Sequence, residues 1–334
     1  MKFAVGYQMF SDSYFIDNII QRKEGISEVY FSWGDFPNGR NSQNLHGGMT
    51  AWETTQKQIE DLKKLSQEGI CLDLLFNATC YGKDSLSKAF FQKIGDTVDY
   101  LLTHTLLKTV TTTSPVIASF IKNNFPEIDV RASVNMGVGT IEGMEYIGDA
   151  FDSFYLKRED NRNFAKIRQL KAWCDDHGKT LYALANSGCL NHCSAHVFHD
   201  NLVSHESEIA QMDNGFAFEG VCRRYLSDRR NMYNLLDRTG FIRPEDIGLY
   251  EGLFPAMKLA TRVNSDPVKI LRAYIDEGKH IGSVLDLLEP NHSPVIYPYI
   301  LENSRIEAQI TNDEIKYINI EKALIQLEDT YADK

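Results

Sequence analysis

The feature that most constrains the fold of this 334-residue chain is the alternation of short apolar runs with longer amphipathic segments. Eight runs are rich in β-branched and aromatic residues, which is typical of buried strands, and helix signals lie between them. We predict strands at 3–7, 28–33, 70–76, 106–111, 128–134, 153–157 and 180–184, and an eighth at either 247–250 or 254–259. Strands that alternate with helices in this way predict a parallel sheet with crossover connections.

Several helix boundaries are marked by their own residues. The segment from Ala51 to Gln67 carries an apolar stripe and ends just before Gly69, which is typical of a helix stop. Ser114 followed by Pro115 predicts a capped helix start, and Asp266-Pro267 repeats that signal.

Eight strand–helix units without a Pro-, Gly- or Ser-rich linker favour one α/β domain, a (β/α)8 TIM-type barrel, over a doubly wound sheet. We predict the barrel over 1–285 and a C-terminal extension over 286–334, packed on the barrel and containing a short strand and a final helix. Because barrel enzymes carry their chemistry on the loops that follow the strands, candidate site residues are sought there. The long loop at 33–48, after the second strand, is a candidate lid.

The charge balance narrows the range of partners. The net charge is −11, so the chain has no global basic field to hold nucleic acid, which makes a nucleic-acid partner unlikely. No stretch approaches the roughly 18 apolar residues of a membrane span, and the first residues do not form a secretory signal. We therefore expect a soluble, cytoplasmic protein.

The connection between the seventh and eighth predicted strands contains a long insertion at about 186–243, much longer than the other connections. Long insertions of this kind are usually functional. The segment NSGCLNHCSAHVFH of this insertion holds Cys189 and Cys193, and Cys222 follows in EGVCRRYL. Unevenly spaced cysteines in a chain of this size indicate metal binding or catalysis rather than a disulfide scaffold. Two others are expected to be buried: Cys174 on a helical stripe and Cys71 at the start of a strand.

Three interpretations of this insertion compete. The first is a cluster, most simply [4Fe-4S], held by Cys189, Cys193 and Cys222, with Cys80 as the best fourth ligand because it follows the third strand at the same face. The second is zinc, held by Cys189, Cys193 and either two histidines or Cys222. In the third, the cysteines only fill space. The rivals of Cys80 for the fourth position are His192, His196 and His199.

The motifs together resemble the collagenase-like peptidase family over roughly 3–274. They are Gly-Cys189-x3-Cys193, Cys222 before Arg-Arg-Tyr-Leu-Ser, Arg243-Pro-Glu-Asp-Ile-Gly, and Lys258-Leu-Ala-Thr-Arg262. Several members of that family are iron–sulfur proteins that hydroxylate ubiquinone precursors, tRNA or ribosomal RNA without oxygen. The resemblance implies a barrel, a cluster held by the three insertion cysteines, and a Lys–Arg pair at the barrel mouth. The usual Lys-x2-Gly-Arg motif and the longer cysteine signature are altered here, which indicates a divergent branch.

The remaining site candidates are polar residues near strand ends. Lys258 and Arg262, four residues apart, are suited to hold a carboxylate or phosphate, and Glu251 is a candidate general base. The candidate substrate-binding residues are Arg223, Arg224, Asn77, Asn135 and Lys157.

The sequence thus predicts an iron–sulfur barrel enzyme that acts on a small, anionic organic substrate, by oxygen-independent hydroxylation or related redox chemistry. The alternatives are a zinc-dependent hydrolase or peptidase, and a non-catalytic iron–sulfur subunit that works with a homologous partner.

Overall fold

The predicted barrel is confirmed by a computed structural model, which describes residues 1–39 and 49–327. Eight parallel strands close into a barrel in the order of the sequence. They are β1 (Lys2–Gly6), β2 (Ile26–Phe31), β3 (Cys71–Phe76), β4 (Leu107–Thr112), β5 (Asp129–Ala132), β6 (Ser153–Tyr155), β7 (Thr180–Leu184) and β8 (Ala256–Leu259). Most of the predicted lid at 33–48 lies outside the described residues.

Helices connect the strands and cover the barrel. They are α1 (Tyr14–Gln21), α2 (Ala51–Gln67), α3 (Lys88–His104), α4 (Pro115–Asn124), α5 (Ile141–Glu145), α6 (Phe164–Asp176), α7 (His196–Ser204), α8 (Glu206–Ile209), α9 (Val221–Leu226), α10 (Arg229–Met232), α11 (Pro267–Leu271), α12 (Ser293–Ile296) and α13 (Ile320–Ala323). The predicted insertion corresponds to the long connection from β7 to β8, which holds α7 to α10. No helix in the described ranges is long and apolar enough to cross a membrane.

Local signals account for the best-formed helices. At the start of α2, the Thr50 hydroxyl accepts a hydrogen bond from the Glu53 backbone while the Glu53 carboxylate accepts one from the Thr50 backbone. The α2 face that carries Ile59, Leu62 and Leu65 is buried against the barrel. Ser114 caps α4 and Pro115 is its first residue, as predicted.

The structure decides between the two ranges predicted for the eighth strand. It is Ala256–Leu259, within the second predicted range, whereas Pro244–Tyr250 is a 3₁₀ helix. Glu251 therefore precedes a strand instead of following one, and it is exposed at the amino-terminal side of the barrel. Its assignment as a general base at the barrel mouth was wrong.

The C-terminal extension differs from the prediction. Instead of one short strand followed by a helix, it contains the hairpin β10 (Glu307–Thr311) and β11 (Glu314–Ile318), and a pair of short strands, β9 (Tyr299–Leu301) with β12 (Leu324–Gln326). The hairpin turns through Asn312 and Asp313, whose φ values are 52° and 61°, as a two-residue turn requires. Only α13 is helical after β11 among the described residues.

Candidate active site

A small cavity of about 60 Å³ lies at the carboxyl ends of the strands, at the barrel mouth. Five of the predicted site residues line it together: Asn77, Asn135, Cys189, Lys258 and Arg262. They belong to the carboxyl ends of four strands, β3, β5, β7 and β8, so only the closed barrel brings them to one place. The mouth cavity is therefore the candidate active site.

Lys258 is the most deeply placed cation of the mouth cavity. Its side chain is 6% exposed, and its ammonium nitrogen lies 3.7 Å from the centre of the Tyr30 ring and 5.0 Å from that of Tyr155. Burial lowers the pKa of Lys258, and the negative charge of Asp73 opposes that shift. The two aromatic faces contribute cation–π attraction to the charged form.

Beneath Lys258 lies a buried ion cluster that sequence reasoning missed. Arg131 from β5 forms an ion pair with Glu28 from β2, and its guanidinium is 3.8 Å from the carboxylate of Asp73 on β3. The Thr111 hydroxyl donates to Asp73 over 2.8 Å, while the other Asp73 oxygen has no hydrogen-bond partner among the described residues. Burial and the charge of Glu28 raise the pKa of Asp73.

A signal for this cluster is present in the sequence. Glu28, Asp73 and Arg131 each stand within an apolar strand run, whereas barrel interiors are usually filled by branched aliphatic side chains. Charged residues are rarely buried unless they are paired. A charge in the middle of a predicted barrel strand therefore indicates an interior polar site.

Two arginines complete the positive side of the mouth cavity. Arg262 is 7% exposed, with its guanidinium 5.7 Å from the centre of the Tyr30 ring. Arg158, which follows the predicted Lys157 in the chain, donates hydrogen bonds to the Asn135 side chain and to a ring nitrogen of His196. Asp200 and Glu289 supply carboxylates to the same lining.

The other predicted substrate-binding residues lie elsewhere. Lys157 is half-buried beside Gly139, and its neighbour Arg158 occupies the cavity instead. Arg223 and Arg224 are exposed on α9, next to Cys222 and outside the lining of the mouth cavity.

The three insertion cysteines are neighbours. Cys189 lines the mouth cavity, Cys193 lines an adjacent cavity of about 500 Å³, and Cys222 lies at the start of α9. Cys193 and Val221, the residue before Cys222, line the same cavity. Burial raises the pKa of Cys222, and the negative charges of Cys189 and Cys193 raise it further. None of them forms a disulfide.

This donor set suits a metal group chemically, because free, adjacent thiols are the ligands of iron–sulfur clusters and of zinc. Within 1–39 and 49–327, however, no three His, Cys, Asp or Glu side chains are already arranged to hold a metal ion. The thiols are therefore gathered in one region without converging on a single point.

Cys80 has a different partner from the one expected. Its thiol hydrogen-bonds to His205, which lies between α7 and α8. We therefore do not retain Cys80 as a fourth ligand. Cys174 is fully buried in the core, as predicted, and Cys71 is half-buried at the start of β3.

The chain is similar to a known protein in sequence and to a solved structure in fold. No family model matches the chain. It is 23% identical over 299 residues to "Uncharacterized protease MJ1657" of Methanocaldococcus jannaschii, covering 86% of this chain and 82% of that protein. The solved structure of the U32 peptidase Mk0906 superposes with a TM-score of 0.54 at 14% identity, covering 77% of this chain and 91% of that one.

Proposed function

Because this chain is related to the collagenase-like (U32) peptidase family, we propose that it is an enzyme with an iron–sulfur cluster beside the barrel mouth. It would bind a small, anionic organic substrate there and carry out oxygen-independent hydroxylation or related redox chemistry. The observation that carries this proposal is the position of Cys189, which lies in the same loop as Cys193 and also lines the cavity that holds Lys258 and Arg262.

The cavity residues have separable roles in this proposal. Lys258, Arg262 and Arg158 supply positive charge for a carboxylate or phosphate, and the two arginines can donate paired hydrogen bonds. Asn135 is oriented by Arg158, and its amide donates to the Asn77 carbonyl over 3.1 Å. These contacts fix the two asparagines at the rim, where they would orient the substrate.

Cys189, Cys193 and Cys222 would hold the cluster. With three protein ligands, a bound cluster supplies electron transfer and an iron that is open to act as a Lewis acid. The barrel side chains supply a site that excludes bulk water, because Tyr30 and Tyr155 are buried around the Lys258 ammonium. Electrostatic interactions with the substrate are stronger in such surroundings than in water.

A second candidate function is hydrolysis, with zinc bound to the same cysteines. It is favoured by the names of both relatives, which are a protease and a peptidase. The two candidates differ in the bound element, so the metal content separates them.

The experiment is anaerobic purification followed by iron, sulfide and zinc analysis and an absorbance spectrum. We expect iron with sulfide and a brown colour, and loss of both in Cys189→Ser, Cys193→Ser and Cys222→Ser. Cys174→Ala is the matched control, because its buried thiol belongs to the core. It should keep its iron and lose only about 1 kcal/mol of stability. Stoichiometric zinc without sulfide would overturn the cluster and support the hydrolase.

A further inference from the structure

A thiol, an imidazole and a carboxylate form a chain of contacts on the rim of the barrel, apart from the cysteines assigned to the cluster. Cys80 follows β3, at the end of the barrel where the mouth cavity lies, and its thiol hydrogen-bonds to His205. The Nδ1 atom of His205 is 3.2 Å from a carboxylate oxygen of Glu208. This order of groups is the one used to activate a nucleophilic thiol.

The two elements that carry these groups are held together. The Thr79 backbone N–H donates to the Ser204 hydroxyl over 3.0 Å, and the Thr79 hydroxyl donates to the Asn201 side chain over 2.7 Å. Thr79 precedes Cys80, and Ser204 precedes His205. These two bonds therefore fix the neighbours of both reactive groups and keep the thiol beside the imidazole.

Cys80 also lines a large groove. The groove has a volume of about 640 Å³ and passes between the loops after β3, β4 and β5 and helix α7. Its lining includes Asn135 and Asp200, which also line the mouth cavity, so the two spaces adjoin. A volume of this size is typical of sites that bind small organic molecules or short peptide segments.

We propose that Cys80 is the nucleophile of a second, metal-independent active site that attacks the acyl carbonyl of an ester or amide bound in this groove. His205 is its general base and acid, and Glu208 is a positioning residue that orients the imidazole. This activity goes beyond the proposed cluster chemistry and does not depend on it.

The reaction consumes only water. His205 takes the thiol proton as the Cys80 sulfur bonds to the carbonyl carbon, and it gives that proton to the leaving alcohol or amine as the carbon–oxygen or carbon–nitrogen bond breaks. The product is a thioester on Cys80. Water then attacks the thioester carbon while His205 takes a proton from the water. The carbon–sulfur bond breaks, His205 returns that proton to the Cys80 sulfur, and the carboxylic acid is released, so the thiol and imidazole are restored.

The electrostatic surroundings agree with this role. The hydrogen bond to His205 lowers the pKa of Cys80, and a hydrogen bond from the Gly82 backbone N–H lowers it further. The bond to Cys80 in turn raises the pKa of His205, and the Glu208 charge adds to that shift. In contrast, burial raises the pKa of Cys71, Cys174 and Cys222.

The first test measures how fast iodoacetamide alkylates each cysteine of the full-length protein, resolved by mass spectrometry, as a function of pH. We expect Cys80 to react faster than Cys71 at about pH 6.5, and His205→Ala to slow Cys80 several-fold, because the thiolate loses the imidazole that stabilises it. Glu208→Gln should shift the pH profile of Cys80 alkylation. Glu206→Gln, two residues earlier in α8, is the control and should leave that profile unchanged.

The second test uses p-nitrophenyl acetate as an acyl donor. We expect a burst of nitrophenolate and a transient acetyl group on Cys80, both lost in Cys80→Ser. Cys222→Ser should keep the same burst, which would show that this site does not depend on the cluster. Loss of the cluster proposal and loss of the Cys80 proposal can therefore be told apart. An ordinary thiol pH profile for Cys80, or a rate that His205→Ala leaves unchanged, would overturn the dyad.

Discussion

The ionisation of Lys258 shows how single residues set the chemistry of the barrel mouth. Burial favours the neutral amine, whereas Asp73, Glu28 and the Tyr30 ring favour the ammonium ion. Asp73 matters most among the charged partners, and the two groups shift each other in a site with little water. The charge of Lys258 is thus controlled by a carboxylate on a strand across the barrel.

This dependence predicts the effect of Asp73→Asn. Removing the negative charge destabilises the ammonium ion, so the pKa of Lys258 should fall further below its usual range. An anion in the mouth cavity binds better when Lys258 is an ammonium ion, so the binding of inorganic phosphate should weaken as pH rises through the pKa of Lys258. In the variant this weakening should occur at a lower pH. NMR titration of ¹³C-methylated Lys258 and phosphate calorimetry measure the two effects. The control is Asp129→Asn, which removes a partner of Arg131. Equal pKa values of Lys258 in the wild type and Asp73→Asn would contradict the coupling.

At the scale of elements, the sequence predicted a helix or strand correctly where the residues of that element alone specify it. The apolar stripe of α2 and the stop before Gly69 are signals of a single helix, and α2 has the predicted bounds. Strand β7, at Thr180–Leu184, also matches its prediction. Each of these elements is specified by its own residues, so no distant contact is needed to identify it.

The errors and omissions have three different causes. The run at 247–250 is as apolar as a strand, but Pro244 starts a 3₁₀ helix there. In the extension, the alternation of buried Ile315 and Tyr317 with exposed neighbours, together with Asn312-Asp313, was the overlooked hairpin signal. The ion cluster depends on strand register, which pairs Tyr30 with Asp73 and Thr111 with Arg131, and register cannot be derived from separate strands.

The capping box of α2 gives a prediction at this scale. Thr50→Ala removes the acceptor for the Glu53 backbone N–H and should lower the free energy of unfolding by about 1 kcal/mol. Thr55→Ala is the control, since it replaces a half-buried threonine within the same helix, where alanine is favourable. Urea denaturation with an unchanged m-value measures both. A Thr55 variant that loses as much stability as the Thr50 variant would show that the cap is not the cause.

At the scale of the whole molecule, the extension is part of the site. The Asn186 side chain donates to the carbonyls of Ala260 and Leu287, and the Gly188 backbone N–H donates to the Glu289 carbonyl. Residues after β7 and β8 are therefore bonded to the first residues of the extension. The loop that carries Cys189 is therefore held in part by residues of the extension, which lie beyond the predicted boundary at 285.

His292 provides the sharpest test of that support. Its Nε2 donates to the Gly188 carbonyl over 2.7 Å, next to Cys189, and burial lowers the pKa of His292, which keeps the ring neutral. His292→Leu leaves that carbonyl without its donor, which should cost about 1–3 kcal/mol and loosen the loop. We expect less bound iron per chain, with the circular dichroism of the barrel unchanged.

His280→Leu is the matched control for this variant. His280 is also buried and its Nε2 donates to a backbone carbonyl, that of Ser283, over 3.0 Å, but this contact lies within the segment that follows α11. The two variants should lose comparable stability in urea denaturation, and only His292→Leu should lose iron. Equal iron in both would mean that the cysteine loop holds its shape without the extension, because a general loss of stability affects the two variants alike.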